Sequence, residues 1–497
     1  MVTEPTTPAA DETGSPHLQE NAIGFMDALV IGLASTSPAY SLAAVIGPIV
    51  VLAGVSTPGV LLASFVPMLL IASAFYYFNR VDQDCGTTFS WVTRAMGPWL
   101  GWLGGWAITM TGVLVIGSLA DVAFRFGLLT FGLDGLASSK TAVMIGAVVI
   151  IVLMTWLCVL GTELSAHVQN GLIIAQVLSL LLFAVVAISA VVRNTATPEQ
   201  LTPELSWLNP FGAGGAALTG GLLLGVFAYW GWESAVNLTE ETENSATAPG
   251  KAALLSTVVL LATYLSVAIA IVAYFGTEFL SDNAADEEFI FALLAKSVLG
   301  PFDWIVLLAV ATSAIASTQT TILPASRTAL SMARRTALPA RFGHIHRQHR
   351  TPDVSTWWVA VIAIAWYVVV NLISENALFD SLTALSLLIA SYYGLTGIAC
   401  AIYFRRQLRA SMRNLLLIGV GPVIGALLLL WLLVESVVDM ADPANSYSGQ
   451  SWLGVGPPLV IGVAIFVAGL VLMAVWRTRD TAFWSERPGL ADPLPVD

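Results

Sequence analysis

Two of the long apolar segments in this chain are interrupted near their middles. Ser35-Thr36-Ser37-Pro38-Ala39-Tyr40 breaks the first, and Tyr229-Trp230-Gly231-Trp232-Glu233 breaks the sixth. In hydrocarbon every backbone N–H and C=O needs a partner, so unwound backbone survives at membrane depth only inside protein or beside a polar cavity. The two breaks therefore predict a binding site at the middle of a helix bundle. Discontinuous helices in matching positions of two halves are the sequence mark of a substrate path built on an inverted repeat.

The rest of the chain supplies the bundle. Apolar residues make up 57% of it, charged residues 10%, and the mean hydropathy is +0.81, outside the range of a soluble globular protein. Windows of about 19 residues predict spans near 24–52, 58–78, 98–124, 141–160, 168–192, 216–238, 251–275, 302–326, 356–373, 379–404, 414–437 and 454–476, twelve helices with both termini on one side. Sixteen of the twenty Lys and Arg fall on that side, Arg80, Arg94 and Arg327 among them, against Arg125, Lys140, Arg193 and Lys296 on the other. The positive-inside rule then puts both termini in the cytoplasm, for a multi-pass protein of the cytoplasmic membrane.

The net charge of −12 argues against a nucleic-acid partner. Residues 1–20 and 478–497 read as cytoplasmic tails, the first disordered. The segment 285–297 has the spacing of a short cap helix lying on the bundle. His344, His346 and His349 sit in a basic loop without accompanying Cys, so they read as part of a headgroup anchor rather than a metal site. Cys85, Cys158 and Cys400 have no metal or redox spacing.

Four stretches carry a resemblance. Gly86-Thr87-Thr88-Phe89-Ser90-Trp91 through Gly97-Pro98, Phe227-Ala228-Tyr229-Trp230-Gly231-Trp232-Glu233 with Glu240-Glu241, Ser326-Arg327 through Ala337-Leu338-Pro339, and Arg405-Arg406 stand in the order of a permease. Together they resemble the amino acid, polyamine and organocation (APC) permease superfamily. The resemblance implies an all-α polytopic membrane protein of LeuT type. Its repeats would be 24–192 and 216–404, with peripheral helices in 414–476, all within a transporter domain 21–477. It also implies secondary active transport of an amino acid or small amine by alternating access, in a monomer or homodimer. No enzyme chemistry and no cofactor is expected beyond a coupling ion, H⁺ or Na⁺. A potassium-type carrier and a non-transporting substrate sensor are the alternatives on the same fold.

The expected substrate contacts are Ser37, Pro38, Ala39, Tyr40 and Ser41 at the first break, and Phe227, Tyr229, Trp230 and Gly231 at the second. Free N–H groups of a half-helix face a carboxylate, while exposed carbonyls take an ammonium group. Pro38 removes one donor, which keeps amines without a carboxylate in view. Glu233 is a carboxylate at membrane depth, either a proton acceptor or a cap for freed N–H groups. Some proton-coupled relatives place a Lys where this chain has Gln176, and a neutral amide cannot supply that charge. Ser313 and Ser317, one turn apart, together with Thr318, form the expected sodium site; the alternative is hydrogen bonding to carbonyls one turn back. Side-chain selectivity is expected from Ile108–Val113 and Ser386–Tyr393.

Overall fold

Long apolar runs become helices here because a helix satisfies its own backbone, and at 1.5 Å per residue about 20 residues cross the hydrocarbon. The computed structural model describes residues 17–282, 290–373 and 375–490. Among these, the regular structure is helical, with only two isolated bridges, Ile23 to Thr242 and Trp452 to Val455. The helices that matter below are α1 (Phe25–Thr36), α2 (Pro38–Ala53), α3 (Thr57–Val81), α4 (Thr88–Met96), α5 (Pro98–Thr130), α6 (Lys140–Leu160), α7 (Thr162–Val192) and α8 (Gly215–Ala228). They continue with α9 (Ala248–Asp282), α10 (Ile290–Leu299), α11 (Trp304–Arg334), α12 (Asp353–Ile373), α13 (Glu375–Thr383), α14 (Leu385–Tyr403), α15 (Gly421–Ala441) and α16 (Pro457–Arg479).

Ten helical stretches among the described residues are long and apolar enough to cross a membrane, against the twelve expected. The difference falls at the Gly54–Ser56 turn and at the second break. The first two expected spans run together as one stretch, Phe25–Val81, and the sixth stops at Ala228 after a helix of 14 residues. Helices α5 and α11 form the centre, with 78% of their apolar windows buried, whereas α16, at 28%, is peripheral. They pack closely through Gly112, where a Cβ would stand 3.1 Å from that of Ala325. Small residues at such crossings let helices approach in lipid, where dispersion contacts hold them.

Residues 1–16 and 491–497 of the expected tails, and 285–289 of the expected cap helix, lie outside the described residues. The inner parts of both tails are docked. Leu18 is buried with Cys85, Leu330 and Ile345, and the N–H groups of Ala22 and Ile23 donate to the Glu241 carbonyl at 2.8 and 3.1 Å. Near the other end Phe483 is buried among Phe89, Trp102, Met332, Ala337 and Met473, and Glu486 pairs with Arg335 at 2.8 Å. An apolar side chain in the inner part of each expected tail thus sits in a groove of the bundle.

Candidate functional site

At the first break the chain changes helix rather than bending. Ser37 turns left-handed (φ 53°, ψ 63°), its N–H donates to the Ala34 carbonyl at 3.1 Å, and Pro38 opens α2. Proline suits a first helical position, where its missing N–H would have no intrahelical partner. Local hydroxyls take over freed carbonyls: Ser41 Oγ donates to Thr36 O at 2.7 Å and Thr36 Oγ1 to Gly32 O at 2.8 Å.

The second break touches the first. Helix α8 ends at Ala228, whose carbonyl accepts from Tyr264 Oη at 2.7 Å. Gly231 then adopts φ 119°, a region that L side chains rarely enter, and a Cβ there would lie 2.7 Å from the Ser35 carbonyl oxygen. Ser35 and Ser234 join across the seam, Oγ to Oγ, at 2.7 Å. Only a glycine lets the two unwound backbones meet this closely.

Glu233 follows immediately and is 3% exposed. Its carboxylate accepts from the hydroxyls of Tyr392 and Tyr393 on α14, the latter at 2.5 Å, and it meets the backbone N–H groups of Gly231 and of Glu233 itself. Trp230 Nε1 donates to Tyr392 Oη at 2.5 Å, and Trp232 stacks on Tyr393 with centroids 5.4 Å apart. The carboxylate thus fastens the turn of the sixth segment to the tenth. Tyr392 and Tyr393 lie inside the stretch expected to set selectivity; their position against Glu233 is what the sequence leaves open.

Helix α11 closes the seam from the side. Ser317 Oγ donates to Ser35 O at 2.9 Å, and the hydroxyls of Ser313 and Ser37 lie 3.0 Å apart. Thr318 instead donates one turn back to Ala314 O at 2.7 Å, so it stands apart from the other two. Gln176 is fully buried on α7, and neither end of its amide has a hydrogen-bond partner among the described residues.

A cavity of about 440 Å³ leads to this region from one face. Tyr40, Ser118 and Phe227 line it along with Asp121, Arg125 and Asp439, and the wall between them is largely Ala, Val, Leu and Phe. Tyr40 Oη and Ser118 Oγ lie 3.2 Å apart. Arg125 pairs with Asp121 at 3.3 Å, and Tyr367 Oη donates to the other carboxylate oxygen at 2.5 Å. Of the nine expected substrate contacts, Tyr40 and Phe227 line the cavity; Ser37, Pro38, Ala39, Ser41, Tyr229, Trp230 and Gly231 are buried beside it.

The opposite face is sealed. Arg327 on α11 grips Glu241 with two bonds, Nε to Oε2 at 2.8 Å and Nη2 to Oε1 at 3.0 Å, and both side chains are fully buried. Thr162 at the start of α7 donates to Glu241 and accepts from Arg327 Nη2 at 3.0 Å. Beside this pair, Arg334 binds Glu240 at 2.8 Å, and Glu240 also accepts from the Cys85 N–H at 3.0 Å. Asp84, Cys85 and Glu240 converge, and the cation that meets the cluster is Arg334. Burial pushes the Cys85 thiol well up from its ordinary value. In the sequence Glu241 and Arg327 are only parts of the permease resemblance; each is a charged residue just past the end of an expected apolar span, and that is the signal that marks them.

The family model described as "Amino acid permease" matches residues 23–468. An uncharacterized transporter of Mycobacterium tuberculosis is 29% identical over 353 residues, covering 69% of this chain and 72% of that one. The methylthioribose transporter of Bacillus subtilis is 24% identical over 80% of this chain and 82% of its own. The human Asc-type amino acid transporter 1 is 26% identical over 79% and 71%. With its broken helices meeting at a buried seam, the chain belongs to the amino acid permease family.

Proposed function

We propose that this protein is a secondary active transporter that moves an amino acid or a related small amine across the cytoplasmic membrane by alternating access. One observation carries the reading: a cavity reaches the first break from one face, at Tyr40 and Phe227, while the buried Arg327–Glu241 pair seals the other. That is an open-on-one-side state of a two-sided path. With the arginine-rich face inward, the cavity faces outward and both termini lie in the cytoplasm. The halves 24–192 and 216–404 supply the two repeats, each contributing one broken helix, and 414–476 adds the peripheral pair.

The break at Ser37–Tyr40 offers helix N–H groups to a carboxylate, and the carbonyl end of α8 offers an acceptor to an ammonium group. The apolar wall around Phe227 receives the side chain, so neutral apolar amino acids fit better than acidic ones. Two routes to coupling follow from named groups. A proton would use Glu233, and a sodium ion would use Ser313 and Ser317 with the Ser35 carbonyl, which requires their present hydrogen bonds to turn.

Uptake into proteoliposomes, across a panel of amino acids and amines with and without a sodium or pH gradient, tests the reading. Saturable uptake of a neutral amino acid is the expected result. Uptake of potassium that no organic solute competes away would make it an inorganic cation carrier. Ligand stabilisation without flux would make it a sensor.

A further inference from the structure

Arg405, Arg406, Arg409 and Arg413 fall within nine residues between α14 and α15, and all four are exposed. No Asp or Glu occurs from Ser381 to Val434. The contrast is with the three arginines at the end of α11. Arg327, Arg334 and Arg335 are each consumed by a glutamate, namely Glu241, Glu240 and Glu486. Arg405, Arg406 and Arg409 make no ion pair among the described residues. Arg413 donates to the Tyr77 hydroxyl, which fixes the end of the cluster against α3.

A second observation says what covers the cluster. The π-helical turn Leu415–Val420 follows directly, and it exposes Leu415, Leu416 and Leu417, with Met412 exposed just before it. Ser73 Oγ donates to Leu417 O at 3.1 Å, so the turn is held on the bundle at the same end as the arginines. A fan of guanidinium groups beside a strip of exposed leucines matches a phosphate headgroup continued by an acyl chain. Guanidinium binds phosphate through paired N–H groups, and basic clusters next to a span attract anionic lipid.

We propose that this loop is a docking site for an anionic phospholipid, with its phosphate among Arg405, Arg406 and Arg409 and an acyl chain along Leu415–Leu417. The lipid would pin the end of α14. That helix carries Tyr392 and Tyr393, the partners of Glu233, so an occupied site steadies the turn of the sixth segment.

The test is native mass spectrometry of the full-length protein released from micelles containing equal phosphatidylglycerol and phosphatidylcholine. The wild type should retain phosphatidylglycerol in clear preference, and R405Q/R406Q/R409Q should lose about 100-fold in its affinity, from roughly fivefold per arginine. R405K/R406K/R409K, which keeps the charge, should hold the lipid within about tenfold of the wild type, and its retention shows that the loop still folds. Equal retention by the glutamine variant would overturn the proposal. So would an equal loss in R477Q/R479Q, which would mean diffuse charge, or displacement of the lipid by millimolar inorganic phosphate, which would mean a soluble anion site.

Discussion

Glu241→Gln should loosen the sealed face, and the structure sets the size of the effect. Glu241 and Arg327 are both fully buried and joined by two bonds, with Thr162 completing the set. Removing the charge of one partner leaves the guanidinium buried without its counterion, which typically costs 3–5 kcal/mol. The amide keeps one acceptor for Thr162 and Arg327, so the lower end, about 3 kcal/mol, is the better figure. If the cost falls on the closed arrangement, the ratio of closed to open shifts by about two orders of magnitude. Cys85 reports it directly, since its side chain is fully buried and its Sγ lies against the Arg327 carbonyl at 3.5 Å.

In a Cys158→Ser/Cys400→Ser background, a small maleimide applied to inside-out vesicles should label Cys85 slowly, and about 100-fold faster after Glu241→Gln. The pair Glu241→Leu/Arg327→Met should restore slow labelling, because well-packed apolar groups replace a buried ion pair at little cost. Labelling at the wild-type rate in Glu241→Gln, with unchanged thermal stability, would refute the claim that this pair holds the face shut.

Three further outcomes are expected. Gly231→Ala places a Cβ at 2.7 Å from a backbone oxygen and forces alanine into φ 119°, so uptake should fall at least tenfold and stability by about 1–3 kcal/mol; wild-type uptake would mean that the breaks do not meet as described. Glu233→Gln replaces two charge-assisted bonds from Tyr392 and Tyr393 by weaker ones and should cost about 2 kcal/mol in thermal or denaturant unfolding, with Tyr393→Phe in the same background adding less than it does alone; strict additivity would show that the three groups do not act as a network. Asp82, in the loop after α3, is 7% exposed while its partner Arg94 is 42% exposed, so burial outweighs the ion pair and lifts the carboxyl to about 6. A carboxyl raised in the folded state favours the protonated form, so its contribution is full below its unfolded value near 3.8 and is lost as pH rises through about 6. Lowering pH from 7.5 to 5 should therefore raise the melting temperature, and Asp82→Asn should flatten that slope; an unchanged slope would remove Asp82 as its cause.

What was legible in the sequence is what depends on local pattern. Apolar runs predicted the spans, and Pro38 and Gly231 predicted the breaks, because each acts through its own backbone. Pairings between segments far apart were not legible. Glu233 could be recognised as costly at membrane depth, but nothing near it in the chain shows that Tyr392 and Tyr393, 159 and 160 residues away, supply its donors. Ser313, Ser317 and Thr318 look alike as hydroxyls on one helix. The structure separates them by direction, two toward the first break and Thr318 back along its own helix.

The placement of Arg327 adds a step that the individual contacts do not contain. It stands on the same continuous helix, Trp304–Arg334, as Ser317, ten positions further on, or about 15 Å along the axis. Ser317 holds the Ser35 carbonyl, and Arg327 holds Glu241, which lies just beyond the second break. The first break and the seal on the far face are therefore fastened to one continuous helix, which carries Pro324 between the two attachment points. A substrate that turns the Ser35 carbonyl away from Ser317 changes the load on that helix at one point, and the buried ion pair feels it at another. Coupling of this kind needs one element with two attachment points, and Pro324 between them is where that element would bend. The coupling predicts that Ser317→Ala, which frees the upper attachment and leaves the Arg327–Glu241 pair intact, raises maleimide labelling of Cys85 above the wild-type rate but below that of Glu241→Gln. Labelling of Ser317→Ala at the wild-type rate would show that the break and the seal move independently.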